Sequence, residues 1–452
     1  MRIPMSPPSE QDLMRRLLAS PEGAARFARM YLDKVDPTPG GRYRHWDILR
    51  HLEPPEGLPV EEWWLAIKLA RRSSARQLPA LTDRTGQPFW LSLVDPALQM
   101  LHDVDQQASG AFRGGGEVVD ERSRDTYLMK SLFEEAITSS QLEGAATTRE
   151  VAKEMLQRGR EPRDKNERMI LNNYRAMEFI RTVRQEPLTV SMIVELHRIL
   201  SEGTMEDPST AGRLRRSGEE IRIYDDQGTV LHTPPDAREL ETRLHRLCEL
   251  ANGGKDEPFL HPVVRAILLH FGLAYDHPFV DGNGRTARAL FYWAMARYGY
   301  WLCEFVSISR ILHQAPSKYY RAFLYTETDG NDATYFVLHQ LRVLVRSIAD
   351  LHTYLERKAQ ELRDARRLLV GSARLGTTLN HRQLALLNHA LKNPGFVYTF
   401  ESHRRSHRIV YQTARTDLKQ LADLGLLLES KTGRTFQFHA PADLRNRMAA
   451  VS

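Results

Sequence analysis

Two helical hydrophobic periods, Val263–Ile267–Phe271–Ala274 and Leu290–Phe291–Ala294–Met295, are separated by one short polar run, DHPFVDGNGRTAR, from Asp276 to Arg288. No other feature constrains the fold as much. Two amphipathic helices joined so tightly must lie as neighbours, and the joint must turn within a few residues, which the glycines at 282 and 284 permit.

The flanks extend the pattern. Leu128, Leu132, Phe133, Ala136 and Ile137 make one apolar face in a helical run that begins near Arg124 and ends at Gly144. Thr147 and Glu150 have the spacing of a capping box, opening a helix over REVAKEMLQRG. NERMILNNYRAMEFIRTVRQ and VSMIVELHRILSE continue the series. One interruption stands out: Ile221–Tyr224 and Thr229–Thr233 are short β-prone runs around Asp225, Asp226 and Gly228, the pattern of a hairpin. Upstream, Trp63, Ile67 and Ala70 recur at helical spacing, with Trp46 and Trp64 expected in the same local core, and Gly110 with Gly114–Gly116 marks a flexible joint. Downstream, a charged helix gives way between Gly371 and Asn380 to helix, turn, helix and a hairpin, the order of a winged helix-turn-helix.

At 452 residues the chain is too long for one core. Its 63 Lys and Arg against 57 Asp and Glu leave a net charge of +6, an excess that permits an acidic partner without demanding one. Two cysteines, Cys248 and Cys303, exclude a disulfide framework, and no run is apolar and long enough to span a bilayer, so a cytoplasmic protein without membrane attachment is expected.

The joint carries specific chemistry. GNG at a helix start turns backbone N–H groups outward at the positive end of the helix dipole, a site for phosphate. Arg285 and Arg288, three apart, share a helix face and could clamp successive phosphates. Asp281 is a carboxylate placed to hold Mg²⁺ beside them. His277 titrates near neutrality and can take a proton from an attacking hydroxyl, while Phe279 is a hydrophobic peg. Singly, a GNG is a turn, a histidine is structural and an arginine pair solvates a helix. His261, His270 and His313 have no metal-ligand spacing with His277 and are read as structural.

HPFVDGNGRTAR matches the Fic pattern H-x-F-x-[DE]-G-N-G-R-x-x-R at every specified position, and the chain resembles that family over roughly Arg124 to Asp350. The resemblance implies a mainly α fold: a Fic-type helical core with inhibitory helix (120–350) and a β-hairpin flap. An N-terminal accessory helical domain (1–115), a linker helix (351–376) and a winged helix-turn-helix domain (377–452) complete it. It implies transfer of AMP from ATP to a Ser, Thr or Tyr hydroxyl of a protein, with ATP and Mg²⁺ as cofactors. His277 would be the base, Asp281 the metal ligand, Gly282, Asn283 and Gly284 the anion nest, and Arg285 and Arg288 the phosphate ligands. The flap, 221–233, would pair with the protein target, and Tyr319, Tyr320, Asn331 and Asp332 would complete the nucleotide pocket.

Glu143 sits at the negative end of its helix, where its charge is unfavourable. SSQLEG, Ser139 to Gly144, resembles the Fic inhibitory motif [ST]-x-x-x-E-[GN], which implies that Glu143 pairs with Arg288 in the place of the γ-phosphate. The same carboxylate could position a water to remove AMP. From Phe400 to Thr416, Arg404, Arg405, Arg408 and Arg415 face a single Glu401, with Lys431 and Arg434 at the wing, so residues 400–434 are candidates for duplex DNA. The rival reading is a nucleotide-sensing DNA-binding regulator with a Fic core. A homodimer is compatible with either.

Overall fold

The computed structural model describes residues 1–32, 35–55, 58–108, 121–219, 221–225, 227–254, 258–370, 379–432 and 435–450. The expected joint at Gly110 and Gly114–Gly116, together with Asp226 and Arg434, lies outside them.

The chain begins with α1 (Glu10–Leu18), α2 (Pro21–Leu32), α3 (Trp46–Leu49) and α4 (Val60–Ser73). Trp46, Trp63, Trp64 and Ile67 do share one small core beside α3 and α4. Then comes an antiparallel hairpin that the sequence pattern did not suggest, β1 (Ala75–Thr82) and β2 (Pro88–Ser92), followed by α5 (Asp95–Ala108). Leu78, Phe89, Leu91, Leu101 and Val104 bury in the same cluster as the helices of the central region, so this part of the N-terminal segment has no core of its own.

The central region is α6 (Glu121–Leu142), α7 (Arg149–Arg158), α8 (Lys165–Val183), α9 (Val190–Ser201), the flap strands β3 (Ile223–Tyr224) and β4 (Val230–His232), α10 (Leu240–Asn252), α11 (Pro262–Asp276), α12 (Asn283–Arg297), α13 (Ile308–Gln314), α14 (Pro316–Thr328) and α15 (Thr334–Val370). Thr148, one residue after the expected position, caps α7 by accepting from the Val151 N–H. α11 is buried almost all round and packs along α12, which is why its sequence is apolar on every face. α15 runs without a break through the boundary expected near residue 350.

A second core holds α16 (His381–Lys392), β5 (Val397–Tyr398), α17 (Phe400–His407), α18 (Tyr411–Asp423), β6 (Leu428–Thr432), β7 (Thr435–His439) and α19 (Leu444–Ala450), with the sheet in the order β5-β7-β6. α17 packs against α6 and α7. Among the described residues no helix is long and apolar enough to cross a membrane, and both cysteines are free and buried.

Candidate active site

α11 ends on His277, whose backbone is left-handed at φ 47°, a conformation that costs a non-glycine residue energy and is held by its surroundings. α12 starts six residues later with Gly282 as its N-cap at φ 86°. A Cβ at 282 would press on the His197 ring, so glycine serves both the turn and the close approach.

The loop between is fastened from inside. Asn283 Oδ1 accepts from the Phe279 N–H at 2.9 Å, and its Nδ2 donates to the Phe279 carbonyl at 2.8 Å. The Asn283 side chain therefore closes the loop and is not directed at a ligand; only its backbone N–H can serve the expected anion nest. Phe279 is fully buried and stacks on His197 at 3.7 Å. His197 Nδ1 accepts from the Gly212 N–H at 3.1 Å, which leaves Nε2 as the donor to the Asp281 carbonyl at 2.9 Å. Burial lowers the pKa of this ring to about 4, so it stays neutral.

His277 Nδ1 lies 3.1 Å from the Ala274 carbonyl, which can only accept, so the proton sits on Nδ1 and Nε2 carries a lone pair. Burial, with further help from the cationic His232 and Arg215, pushes its pKa down to about 4. The ring is a neutral acceptor throughout the physiological range.

The first N–H groups of α12, from Asn283 onward, have no intrahelical partner and lie at the positive end of the helix dipole. The two arginines behind it are almost wholly buried. Arg285 donates to the Leu200 carbonyl at 3.1 Å and lies 3.4 Å from Asp281 Oδ2. Arg288 donates through Nε to Ser139 Oγ and through Nη2 to the Ser139 carbonyl, both at 2.9 Å, and its Nη1 sits 2.9 Å from Glu143 Oε1. Burial disfavours its charge, and Glu143 together with Tyr319 and Glu135 outweighs that, raising its pKa. A Cβ on Gly284 would collide with Glu143, so a bare backbone is needed where that carboxylate approaches α12. Glu143 thus meets Arg288, distant in the chain, as the sequence reading expected, and Ser139, four residues before Glu143, adds two bonds to the same guanidinium.

A cavity of about 350 Å³ opens here, lined by Glu143, His277, Gly284, Tyr319, Tyr320 and the flap residues Ile221 to Ile223 and Leu231 among others. Asn331 and Asp332, expected in this pocket, are elsewhere. Asn331 bonds Asp83 of the β1–β2 turn at 2.9 Å, and buried Asp332 accepts from Tyr43 at 2.6 Å beside Lys68. They fasten the N-terminal segment to the core instead. Among the described residues no three His, Cys, Asp or Glu side chains form a protein-only metal site. Asp281, its side chain 55% exposed at the edge of the nest, is a single hard oxygen donor that suits a cation shared with ligand phosphates.

Three residues that the sequence reading missed surround the loop: His197, Arg215 and His232. His197 lies on a helix whose apolar period looks ordinary, and the other two lie in loop and flap, where no spacing links them to His277.

Residues 187–295 match the Fic/DOC family model. The chain is similar to proteins named protein adenylyltransferase Fic: 27% identity with that of Drosophila virilis over 72% of this chain and 61% of the relative, and 28% with that of Nematostella vectensis over 45% of each. It thus spans less than two thirds of the length of these curated relatives. Among solved structures, a Fic family protein from Desulfovibrio desulfuricans superposes over 76% of this chain and 96% of its own, with a TM-score of 0.50 at 15% identity. The chain therefore carries a Fic domain of the Fic/DOC family within a mainly α-helical fold.

Proposed function

We propose that the protein is an autoinhibited adenylyltransferase that moves AMP from ATP to a Ser, Thr or Tyr hydroxyl of a protein. The observation that carries this reading is the Glu143–Arg288 pair at 2.9 Å, set against the phosphate-binding start of α12 with the lone pair of His277 across the same cavity. His277 Nε2 takes the hydroxyl proton as the oxygen bonds to the α-phosphorus, and the α–β bridging bond breaks to release pyrophosphate. The α12 N–H groups and Arg285 hold the phosphates, and Arg288 takes the γ-phosphate once Glu143 withdraws. Asp281 would hold Mg²⁺ jointly with ATP, the ion supplying charge neutralisation. An extended target segment would add a strand to the flap, 221–233. With Arg288 occupied, Glu143 could instead position a water that removes AMP.

The C-terminal module is read as a winged helix that binds duplex DNA. In favour is the exposure of Arg415 on α18 and of Lys431 at the end of β6. The regulator reading, a Fic core that only senses nucleotide, has no use for the base at His277. Incubation with labelled ATP, Mg²⁺ and cell lysate tests the enzyme reading: the Glu143→Gly protein is expected to label itself or a target, and His277→Ala in that background to abolish labelling while ATP still binds. Labelling that survives His277→Ala removes the base assignment.

A further inference from the structure

The C-terminal turn of α11 is where His277 gets its position, and its carbonyls are accounted for one by one. Leu273 accepts from the His277 N–H and Ala274 from its Nδ1. Tyr275 accepts from His232 Nε2 at 2.8 Å, Asp276 from Arg215 Nη2 at 3.5 Å, His277 from Arg215 Nε at 2.9 Å, and Pro278 from the Arg215 backbone N–H at 2.9 Å. A helix end leaves its last carbonyls without intrahelical donors and carries partial negative charge. Here two buried cationic side chains satisfy both needs.

His232 is a cation by geometry. Its Nδ1 lies 2.9 Å from Glu327 Oε2 and its Nε2 faces a carbonyl, so both ring nitrogens meet acceptors and both must carry protons. Burial opposes that charge, and Glu327 on α14, with Tyr275 and Asp276 on α11, outweighs it and raises the pKa. The other charged and titratable groups around this turn are Arg215, His277, Arg243 of α10, which pairs with Asp276 at 2.8 Å, and Glu143 just past α6. Arg215 precedes β3, and His232 ends β4. The segment leading toward the flap, through Arg215, and the end of β4, through His232, are therefore both bonded to the turn that holds His277.

We propose that Arg215 and His232 are positioning residues that register the flap, and any segment docked on it, to the His277 ring. This rests on the adenylyltransferase reading for its catalytic meaning, but not for its geometry. Neither side chain touches a reacting atom. Their loss should lower kcat for AMP transfer by roughly ten- to hundredfold, the cost of a small misplacement of the base, while KM for ATP moves little. The two positive charges also oppose a second proton on His277, so its pKa should rise when either is neutralised.

The test uses the full chain with Glu143→Gly, labelled with ¹³C at histidine Cε1, the His277 signal being identified by its loss in His277→Ala. His232→Gln and Arg215→Lys are compared with the parent for the His277 titration, for kcat and KM, and for ATP binding. The proposal requires His232→Gln to raise the His277 pKa and lower kcat at unchanged ATP affinity, with Arg215→Lys, which keeps the charge, changing kcat but not the titration. If both variants fold and leave the His277 titration and kcat as in the parent, the clamp is only structural and the proposal fails. A parent that transfers no AMP would remove the adenylyltransferase reading and leave the titration to decide the clamp.

Discussion

Glu135 lies within α6 and Glu143 directly follows its last residue, about two turns further on, and their surroundings differ in kind. Glu135 is 2% exposed and accepts from Tyr292 OH and Ser307 Oγ at 2.8 Å, from the Ser309 N–H at 3.1 Å and from Ser309 Oγ. Glu143 has a quarter of its side chain exposed and holds one guanidinium. The first carboxylate is tied to α12 and to the start of α13 by several donors at once. The second has a single partner that a ligand phosphate could take over. Relief of the Glu143 contact therefore needs only the last turn of α6, around Ser139 to Gly144, to move, and not the helix as a whole.

Removing the anchor should have the largest effect. Glu135→Ala strands the Ser309 N–H and removes the acceptor shared by the Tyr292, Ser307 and Ser309 hydroxyls, which should lower stability by about 3 kcal/mol, read as a shift of the urea midpoint. Glu143→Gly takes the ion partner from the buried Arg288 Nη1 but leaves both Ser139 bonds to that guanidinium in place, so it should cost less, about 1 kcal/mol. Equal losses at the two sites would abolish the distinction between anchor and switch.

The same pair of residues should separate in activity. Glu143→Gly frees Arg288 and should raise the proposed AMP transfer by roughly ten- to a hundredfold, equivalent to about 1 to 3 kcal/mol. Arg288→Ala in that background should cancel the gain. Counting AMP additions by mass spectrometry in the parent, the single and the double variant decides it, and equal modification in parent and Glu143→Gly would reduce Glu143 to a helix-end residue.

How much of this was legible in the sequence depended on the kind of signal. The joint was readable because its chemistry is contiguous: the loop, the two arginines and His277 lie within one turn-forming run, and helical periods flank it. Glu143 was readable through a motif and through its unfavourable place at a helix end. The anchor was not. Glu135 lies on the helix face expected to be buried, and its partners Ser307 and Ser309 are more than 170 residues away, so no local period marks it. The β1–β2 hairpin escaped because Pro79 interrupts its first strand, where the pairing register shifts between Leu78 and Thr82. Asn331 and Asp332 were assigned to the pocket by resemblance, whereas their bonds run to Asp83 and Tyr43, contacts that follow from tertiary packing alone.

His232 offers a smaller effect that sharpens the contrast between a fixed and a releasable contact, because pH can loosen it. Its folded pKa is raised, so the stability its charge adds is fully present below the unfolded value near 6.5 and is lost as pH rises through the folded value. His232→Gln should therefore be less stable than the parent by about 1 kcal/mol at pH 6, with the difference shrinking as pH rises. A difference that instead grew with pH would mean that His232 is neutral in the folded protein. The proposed transfer should rise through pH 4, where His277 loses its proton, and then stay level until His232 deprotonates.

The smallest expected effect concerns the C-terminal module, where a similar contrast holds between cations that are engaged and cations that face solvent. Arg404 and Arg405 both pair with Glu401, and Arg405 also donates to the Gln157 carbonyl at the end of α7 at 3.0 Å. They lie on α17, the helix that packs on α6 and α7, so their charge is already answered within the molecule. Arg415 and Lys431 are exposed. If duplex DNA binds here, Arg415→Ala with Lys431→Ala should reduce the slope of log affinity against log salt by about 2, close to one unit for each phosphate that is no longer neutralised. Arg404→Ala should leave that slope unchanged. Fluorescence anisotropy with a labelled duplex at stepped salt reads both, and a slope that falls with Arg404→Ala but not with the exposed pair would move the DNA surface onto α17. That outcome would also require α17 to leave α7, so it should be accompanied by a change in the Glu143 contact two helices away.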